Sequence, residues 1–349
     1  MGKLVFFTAL GVPDNGLRGM PIRGVIPLQF RGKQSDAAWS TCASCHFEGL
    51  ADHVTWFFGD GPRSSIPLDG TYSKINGAHD IRINNWSAPR DGVTDFNNNS
   101  RNVQCGSGFA GGDAPMNIAG VDLPCPGAGP GMPNQAIFDH GIEQGASEAL
   151  DVETTWVQTV RPLNQPQPDD PTALGAGAAV FQDNCASCHG GAKWTKSQVI
   201  YGNNPALGAA VAGVRPVRDP GLEITANQAV SYTNTVLDPT PLQFLEIIGT
   251  FDANNPIEIR GQQAAIGQTP LGADGFNVPS LLSVNYHAPY FHNGQAQTLE
   301  EVFAQHQLPG GGPIQDLTGA TALLEFLKAI DGRTATFESQ TDIFKDPVR

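Results

Sequence analysis

The sequence predicts a mostly α-helical protein made of two domains with long Gly- and Pro-rich loops, and three observations support this. The chain has 349 residues, which suggests about two domains of ordinary size. Its 41 Gly and 27 Pro are about a fifth of the chain, against nearer an eighth in typical proteins. Hydrophobic residues reach 40% and charged residues only 15%, a balance that argues against a disordered chain.

Two helices are predicted in the first half of the chain. The apolar stretch of residues 2–12 has one Lys, and no small-residue cleavage site follows it. We therefore interpret it as the first helix of a mature or truncated chain rather than as a signal peptide. A second helix is predicted from Ser147 to about Val160, and no strand pattern of comparable length appears.

Two more helices are predicted where Pro stands at a position suited to a helix start. Asp170-Pro171 begins the first, because the missing N–H of Pro costs nothing there. Leu174, Ala178 and Phe181 follow at helical spacing. Thr240-Pro241 begins the second, with Leu245 and Ile248 on one face.

The last two predicted helices have clear end signals. Thr298-Leu299-Glu300-Glu301 is a capping box, so a short helix is expected from Thr298 to about His306. Leu323, Leu327 and Ile330 form an apolar stripe on a final helix that Gly332 ends.

A proline-rich linker divides the chain. Residues 161–171 contain four prolines and almost no apolar side chain, which is typical of a stiff, extended connection. The predicted domains are therefore residues 1–163 and residues 164–349.

Each predicted domain contains the same pentapeptide, Cys-Ala-Ser-Cys-His, at residues 42–46 and 185–189. Cys-x-x-Cys-His is the attachment signature of c-type haem: two thiols bond the porphyrin, and the adjacent His ligates the iron. A zinc knuckle would place two such units close together, yet these lie 143 residues apart. A thioredoxin-like pair would have no use for the His. The predicted attachment residues are Cys42, Cys45, Cys185 and Cys188, and the predicted iron ligands are His46 and His189. We therefore expect two cytochrome c-like domains, each wrapping one covalently bound haem.

Haem c is attached outside the cytoplasm, which predicts a periplasmic or extracellular protein. In that oxidising setting, the two remaining cysteines, Cys105 and Cys125, are expected to form a disulfide across a Gly- and Pro-rich loop. Such a bridge would contribute about 3 kcal/mol. Two free buried thiols are the alternative.

The charge of the chain restricts its partners. The net charge is −14 and the isoelectric point is near 4.8, which excludes a nucleic-acid footprint. No apolar run is long enough to span a membrane. An acidic surface can steer a basic redox partner, such as a small cytochrome or another electron donor or acceptor. A homo-oligomer or a larger assembly stays open.

Five segments of the chain resemble the bacterial di-haem cytochrome c peroxidases and the MauG-like methylamine-utilisation di-haem cytochromes. The strongest are the Pro-Ser-Leu at 279–281, the Ala-Pro-Tyr-Phe-His-Asn-Gly at 288–294 and the Thr-Leu-Glu-Glu-Val at 298–302. The first half adds Gly-Lys-Leu-Val-Phe-Phe at 2–7 and Gly-Pro-Arg at 61–63. The resemblance runs from end to end but is patchy, with divergent insertions in the first half.

For the second haem, the resemblance implies His189 as proximal ligand and His306 as distal ligand, at the family's Met or Tyr position. No Met follows Met132, so this domain cannot supply a thioether. A solvated His at a helix C-terminus is the alternative for His306. His292 matches a family position and is expected in the pocket wall or its hydrogen bonding. His287 is a nearby alternative.

For the first haem, the sixth ligand decides the function, because an open iron binds peroxide and a filled one only transfers electrons. The family's peroxidases place a removable His before the Gly-Pro-Arg, which suggests His53, and His79 is a second candidate. The more remote candidates are His140, Met116 and Met132.

Two further candidates come from the same resemblance. Arg63 is expected to bind a haem propionate or to pair with a surface acid. Trp86 matches a family Trp between the two haems, although a plain core Trp is an equal alternative. No residue clearly matches the family's peroxide-handling Glu, though the fold could place Glu143 there.

The sequence therefore predicts a di-haem electron-transfer cytochrome. The alternative is a peroxidase that reduces hydrogen peroxide at the first haem with electrons relayed through the second. Oxidative modification of a protein or polymer is a third possibility by analogy. The resemblance also implies one calcium ion between the domains, for which the sequence singles out no ligands.

Overall fold

The computed structural model describes these parts of the chain: residues 1–12, 32–35, 39–58, 61–74, 80–88, 92–93, 96, 100, 104–109, 117–118, 121–122, 148–167, 171–198, 245–258 and 271–339. Within them the protein is partly helical with little sheet.

The helices of the described residues are short. They are α1 (Gly2–Thr8), α2 (Cys42–Cys45), α3 (Glu148–Val157), α4 (Pro171–Asn184), α5 (Ala186–His189), α6 (Leu299–Gln305) and α7 (Ala320–Lys328). The strands are β1 (Lys33–Ser35), β2 (Thr55–Phe58), β3 (Gly61–Ser64), β4 (Cys105–Gly108), β5 (Asn117–Ile118), β6 (Val121–Asp122), β7 (Leu245–Glu246) and β8 (Phe276–Asn277). They form four antiparallel pairs, β1–β4, β2–β3, β5–β6 and β7–β8. These two-stranded pairs fix loops in place and do not build a sheet core.

Most of the predicted helices are present. The predictions for residues 2–12, 147–160 and 171 onward correspond to α1, α3 and α4. The Thr298 cap is confirmed, because its side chain accepts a hydrogen bond from Glu301 N and α6 ends before His306, but the Glu301 carboxylate accepts from Gln297 N rather than from Thr298 N. The last helix is confirmed as α7.

The helix predicted from Thr240-Pro241 is wrong where the structure describes it. Residues 240–244 lie outside the described part of the chain, and Leu245–Glu246 is strand β7. Leu245 pairs with Asn277 and Glu246 with Phe276. Leu245 therefore belongs to a short strand, and the following Ile247 and Ile248 line a cavity, with Ile247 73% exposed.

The first core forms where α1 packs against α3. Phe6 and Trp156 have ring centroids 4.3 Å apart. A Cβ at Gly2 would lie 1.9 Å from Val152 O, so only glycine allows α1 to approach α3 this closely. Phe6 also packs with Ile83 and Val157 in one buried cluster.

The second core forms where α4 crosses α7. Phe181 packs on Trp194 at 5.5 Å and on Phe326 at 5.4 Å between ring centroids. A Cβ at Gly177 would lie 2.1 Å from Ala322 O, which again requires glycine at the crossing point.

Buried polar contacts join residues of the two halves. Lys193 Nζ and Asp80 form an ion pair with both side chains almost fully buried. The amide of Asn277 donates to Ile83 O at 2.7 Å and Asn85 O at 2.9 Å. Each group leaves water only because it has a partner across the contact.

The proline-rich linker lies against the second half. Gln165 is buried, and its N–H donates to Asp331 Oδ2 at 2.9 Å. Leu163 N–H donates to Ser283 Oγ at 2.7 Å. The expected stiff connection is therefore anchored along residues 161–167. The domain boundary itself stays a prediction.

Asp69 couples the stability of this contact region to pH. Its carboxylate is buried and accepts a hydrogen bond from Ser283 Oγ at 2.9 Å. Burial raises the pKa of Asp69 to about 7, and the Ser283 hydrogen bond and the charge of Lys74 oppose this shift only partly. An unfolded Asp has a pKa near 4. The folded protein therefore holds a proton that the unfolded chain releases between about pH 4 and pH 7.

We expect Asp69→Asn to flatten the pH dependence of stability. In the wild type, this carboxyl lowers the free energy of unfolding by up to about 1.4 kcal/mol per pH unit as the pH rises through that window. Guanidinium unfolding at pH 5 and pH 8 measures the difference. The exposed Asp316→Asn serves as control, and equal pH slopes for Asp69→Asn and the wild type would contradict the prediction.

Candidate functional site

The second attachment motif stands at the junction of α4 and α5. Helix α4 ends at Asn184, Cys185 follows it, and α5 carries the other four residues of the motif. His189 N–H donates to Cys185 O at 2.8 Å. The His189 Nδ1 atom lies 3.2 Å from Pro279 O. Because Nδ1–H donates to this carbonyl, the lone pair of Nε2 is free to bind a metal.

His306 faces this motif from α6. The helix ends at Gln305, and His306 has extended backbone angles, φ −72° and ψ 113°. Its backbone is held by hydrogen bonds from His306 N to Val302 O at 2.8 Å and from Ile314 N to His306 O at 3.2 Å. The Nδ1 atom of His306 is buried and makes no hydrogen bond with the described residues. A buried imidazole nitrogen without a partner is able to bind a metal. The Nδ1 atom of His287 shares this property, so the position of the His306 ring opposite His189 is what distinguishes it.

The rings of His189 and His306 lie 6.5 Å apart between centroids. A metal–imidazole bond of about 2.0–2.1 Å, plus roughly 1.1 Å from nitrogen to ring centre, gives about 6.3 Å for two imidazoles on one metal. The observed separation of 6.5 Å therefore fits two imidazoles that bind one metal.

The cavity between these rings fits a porphyrin. The thiols of Cys185 and Cys188 line it and form no disulfide. Its walls are mostly apolar side chains: Phe181, Leu281, Val284, Leu299, Phe303, Ile314, Leu323 and Leu327. Two thiols, two opposed imidazoles and an apolar slot are the donor set of a bis-His haem c.

The first attachment motif begins with helix α2, which packs beside the core that α1 and α3 form. Thr41 and Ser44 form a reciprocal capping box around the Cys42–Cys45 turn. The His46 Nδ1 atom lies 3.1 Å from Leu50 O, so this imidazole is oriented in the same way as His189. Cys42 and Cys45 are free thiols that line the cavity of the first motif, which we call the first cavity, and the cavity between His189 and His306 is the second cavity.

The first cavity is more polar than the second. Arg63 and Arg82 line it, and both are buried. Arg63 donates from Nη2 to Ser87 Oγ at 2.9 Å and from Nη1 to Pro62 O at 2.7 Å. Glu153 also lines it, only 2.6 Å from Cys42 Sγ. Burial raises the pKa of Glu153 to about 7.

Burial changes the proton affinity of every attachment residue. It raises the pKa of Cys45 to about 11 and of Cys185 to about 12. It lowers the pKa of His46, and burial together with the nearby His306 lowers the pKa of His189 to about 3. Both proximal imidazoles are therefore neutral at pH 7, which is the form that binds iron.

A thin wall separates the two cavities. Trp86 lines both of them, and its Nε1–H donates to Ser64 O at 2.9 Å. His292 stacks on Phe276 at 3.8 Å between ring centroids. Its Nε2 lies 2.7 Å from Glu258 Oε1, with both side chains buried. His292 thus stands behind Phe276 rather than in the described lining of the second cavity.

His53 is the candidate sixth ligand of the first haem that lies within the described residues, and the structure does not bring it to the first cavity. His53 is exposed, and its Nδ1 lies 2.6 Å from Ala288 O. It is absent from the described lining of the first cavity.

His287 lines the second cavity, where its Nε2 lies 3.1 Å from Leu282 O. The candidates outside the described residues are His79, Met116, Met132, His140 and the acid Glu143. The predicted partner Cys125 of the disulfide also lies outside them.

Sequence reasoning missed Arg82 and Glu153. Both had a signal. Arg82 stands between Ile81 and Ile83, so a charge interrupts a buried extended segment. Glu153 lies on the apolar face of α3 that Leu150 and Val157 form at helical spacing.

The following known proteins are similar to this chain. No protein-family model matches the chain. A cytochrome-c peroxidase, IdrP2 of Denitromonas iodatirespirans, is 37% identical over 75 residues, a match that covers 20% of each chain. The match thus spans about a fifth of that relative's length. The chain therefore resembles a cytochrome-c peroxidase over about a fifth of its length.

Two solved structures also align with most of the chain. A MauG-like protein associated with microbial copper homeostasis is 17% identical, covers 90% of this chain and 86% of its own, and gives a TM-score of 0.41. Hydrazine synthase of Kuenenia stuttgartiensis is 15% identical, covers 94% and 86%, and gives a TM-score of 0.39. No helix of the described residues is long and apolar enough to cross a membrane.

Proposed function

We propose that the protein is a di-haem c-type cytochrome that transfers electrons, with a bis-His second haem. The observation that carries the proposal is the 6.5 Å separation of the His189 and His306 rings across an apolar cavity with two thiols. Two protein ligands on one iron leave no position for substrate, which is typical of electron-transfer sites.

The residues of the chain would hold the second haem rigidly. Pro279 O fixes the ring of His189, and the end of α6 fixes His306. A bound haem supplies an iron that changes between two oxidation states. Because both imidazoles are held by the fold, the coordination would change little with oxidation state, and a small change favours fast electron transfer. Trp86 lies in the wall between the cavities and would shorten the path from one haem to the other.

Haem counting and spin state test this proposal. We expect a pyridine haemochrome assay to give two haems c per chain. Electron paramagnetic resonance of the oxidised protein should show a low-spin bis-imidazole signal from the second haem. Fewer than two haems, or a second haem that is high-spin, would contradict it.

The alternative is a peroxidase whose first haem reduces hydrogen peroxide. One observation favours it: among the described residues lining the first cavity, no His or Met other than His46 is present. Glu153 offers a buried carboxyl in the same cavity that exchanges a proton near pH 7. Rapid peroxide-dependent oxidation of a ferrous small cytochrome c would favour this function, and its absence would favour the carrier.

The remaining parts of the proposal follow from haem c and charge. Haem attachment implies a protein that works in the periplasm or outside the cell. A net charge of −14 suits a redox partner with a basic face. The calcium ion between the domains stays a prediction from the resemblance, to be tested by metal analysis of the purified protein.

A further inference from the structure

Arg82 is a buried cation of the first cavity that has no counter-charge among the described residues. The residue is 2% exposed and lines the cavity. Its Nε–H donates to Val278 O at 3.2 Å, and its Nη2 is buried without a hydrogen bond to the described residues. Burial lowers the pKa of Arg82 to about 9, and no carboxylate of the described residues opposes this. A buried guanidinium without an anion is costly, so the folded protein needs an anion at this place.

The backbone directs this charge toward the first cavity. Arg82 N–H donates to Thr71 O at 2.8 Å, which holds the segment extended. Ile81 and Ile83, its neighbours on either side, are buried in the α1–α3 core. Because side chains alternate along an extended segment, the guanidinium points away from that core. It reaches the first cavity, and it is not part of the described lining of the second.

We propose that Arg82 binds a propionate carboxylate of the first haem. The inference rests on the proposed two-haem function and assigns an anchor that differs from Arg63. Arg63 already donates to Ser87 and Pro62, whereas the Nη2 of Arg82 is still to be satisfied. A guanidinium offers the planar donor pair that a carboxylate accepts.

Arg82 also connects the site of the first haem to the segment that holds His189 at the second haem. Val278 O accepts from Arg82, and the next carbonyl, Pro279 O, accepts from His189. Val278 O also accepts from Thr195 Oγ1 at 2.7 Å, which holds the carbonyl in place. The guanidinium is therefore fixed before it meets its ligand, and this lowers the entropic cost of binding.

Redox titration of Arg82→Gln tests the inference. Both haems stay attached through thioethers, so the potential of each can be measured in the variant. Removing a cation beside the first haem should favour its ferric form at least tenfold, a shift of 59 mV for a one-electron couple. The second haem should shift by less than a third of that. Arg82→Lys should keep most of the wild-type potential, because it keeps the charge.

A control variant, a change of buffer and a haem count make the outcome decisive. The exposed Arg161→Gln changes net charge equally and should shift neither haem. If the anion were a solute instead of the propionate, the Arg82→Gln shift would differ between chloride and phosphate buffers, which would overturn the proposal. An unchanged first potential, or equal shifts at both haems, would also overturn it. A haem count below two in the wild type would instead refute the proposed function.

Discussion

His306→Ala should convert the second haem from low-spin to high-spin. The variant removes the imidazole that faces His189 at 6.5 Å between ring centroids. The spin change should be visible both in electron paramagnetic resonance and in the optical spectrum. His306→Met should keep the iron six-coordinate and raise the potential on the order of 0.1–0.2 V, a fraction of the ~0.8 V range that axial ligands span.

His287→Ala is the matched control for this change. His287 is also a buried histidine that lines the second cavity. Its Nε2 is occupied by Leu282 O, and burial lowers its pKa to about 4. The variant should therefore keep the low-spin signal. A low-spin second haem in His306→Ala together with a high-spin one in His287→Ala would assign the ligand to His287.

Lys193→Ala should destabilise the protein by about 3–5 kcal/mol, because it leaves Asp80 buried without its partner. This is the largest stability effect that we expect from a residue outside the haem sites. Chemical unfolding followed by haem absorbance and by fluorescence measures it. In Lys193→Met/Asp80→Val, both charges are removed, and at least half of the lost stability should return.

The exposed pair Lys328–Glu300 provides the comparison. Its atoms lie 3.3 Å apart in solvent, so Lys328→Ala should cost less than about 1 kcal/mol. Similar losses of unfolding free energy in Lys193→Ala and Lys328→Ala would show that burial of the Lys193–Asp80 pair does not increase its effect on stability. A double variant no more stable than Lys193→Ala would show that the side chains matter for packing rather than for charge.

Local patterns were enough to predict the parts of the site that lie in short segments. The two Cys-x-x-Cys-His motifs and the capped helix before His306 are each encoded in a few consecutive residues. The resemblance then supplied the pairing of His189 with His306, which spacing alone cannot give because 117 residues separate them in the sequence.

The parts that were missed depend on distant contacts. Glu153 faces the first cavity because α3 packs against α1. Arg82 is held by Val278 O from the other half of the chain. Leu245 and Ile248 have helical spacing, yet pairing with Phe276–Asn277 makes this segment a strand. In each case a tertiary contact decided what local propensity left open.

The buried thiols determine the order in which this protein can be assembled. The thiolate is the reactive form of cysteine, and burial holds the pKa of Cys45 at about 11 and of Cys185 at about 12. A chain that folds first would therefore present almost no thiolate at neutral pH and would add to porphyrin vinyl groups very slowly. For the two-haem protein that we propose, burial therefore favours covalent attachment before the helices close around these cysteines.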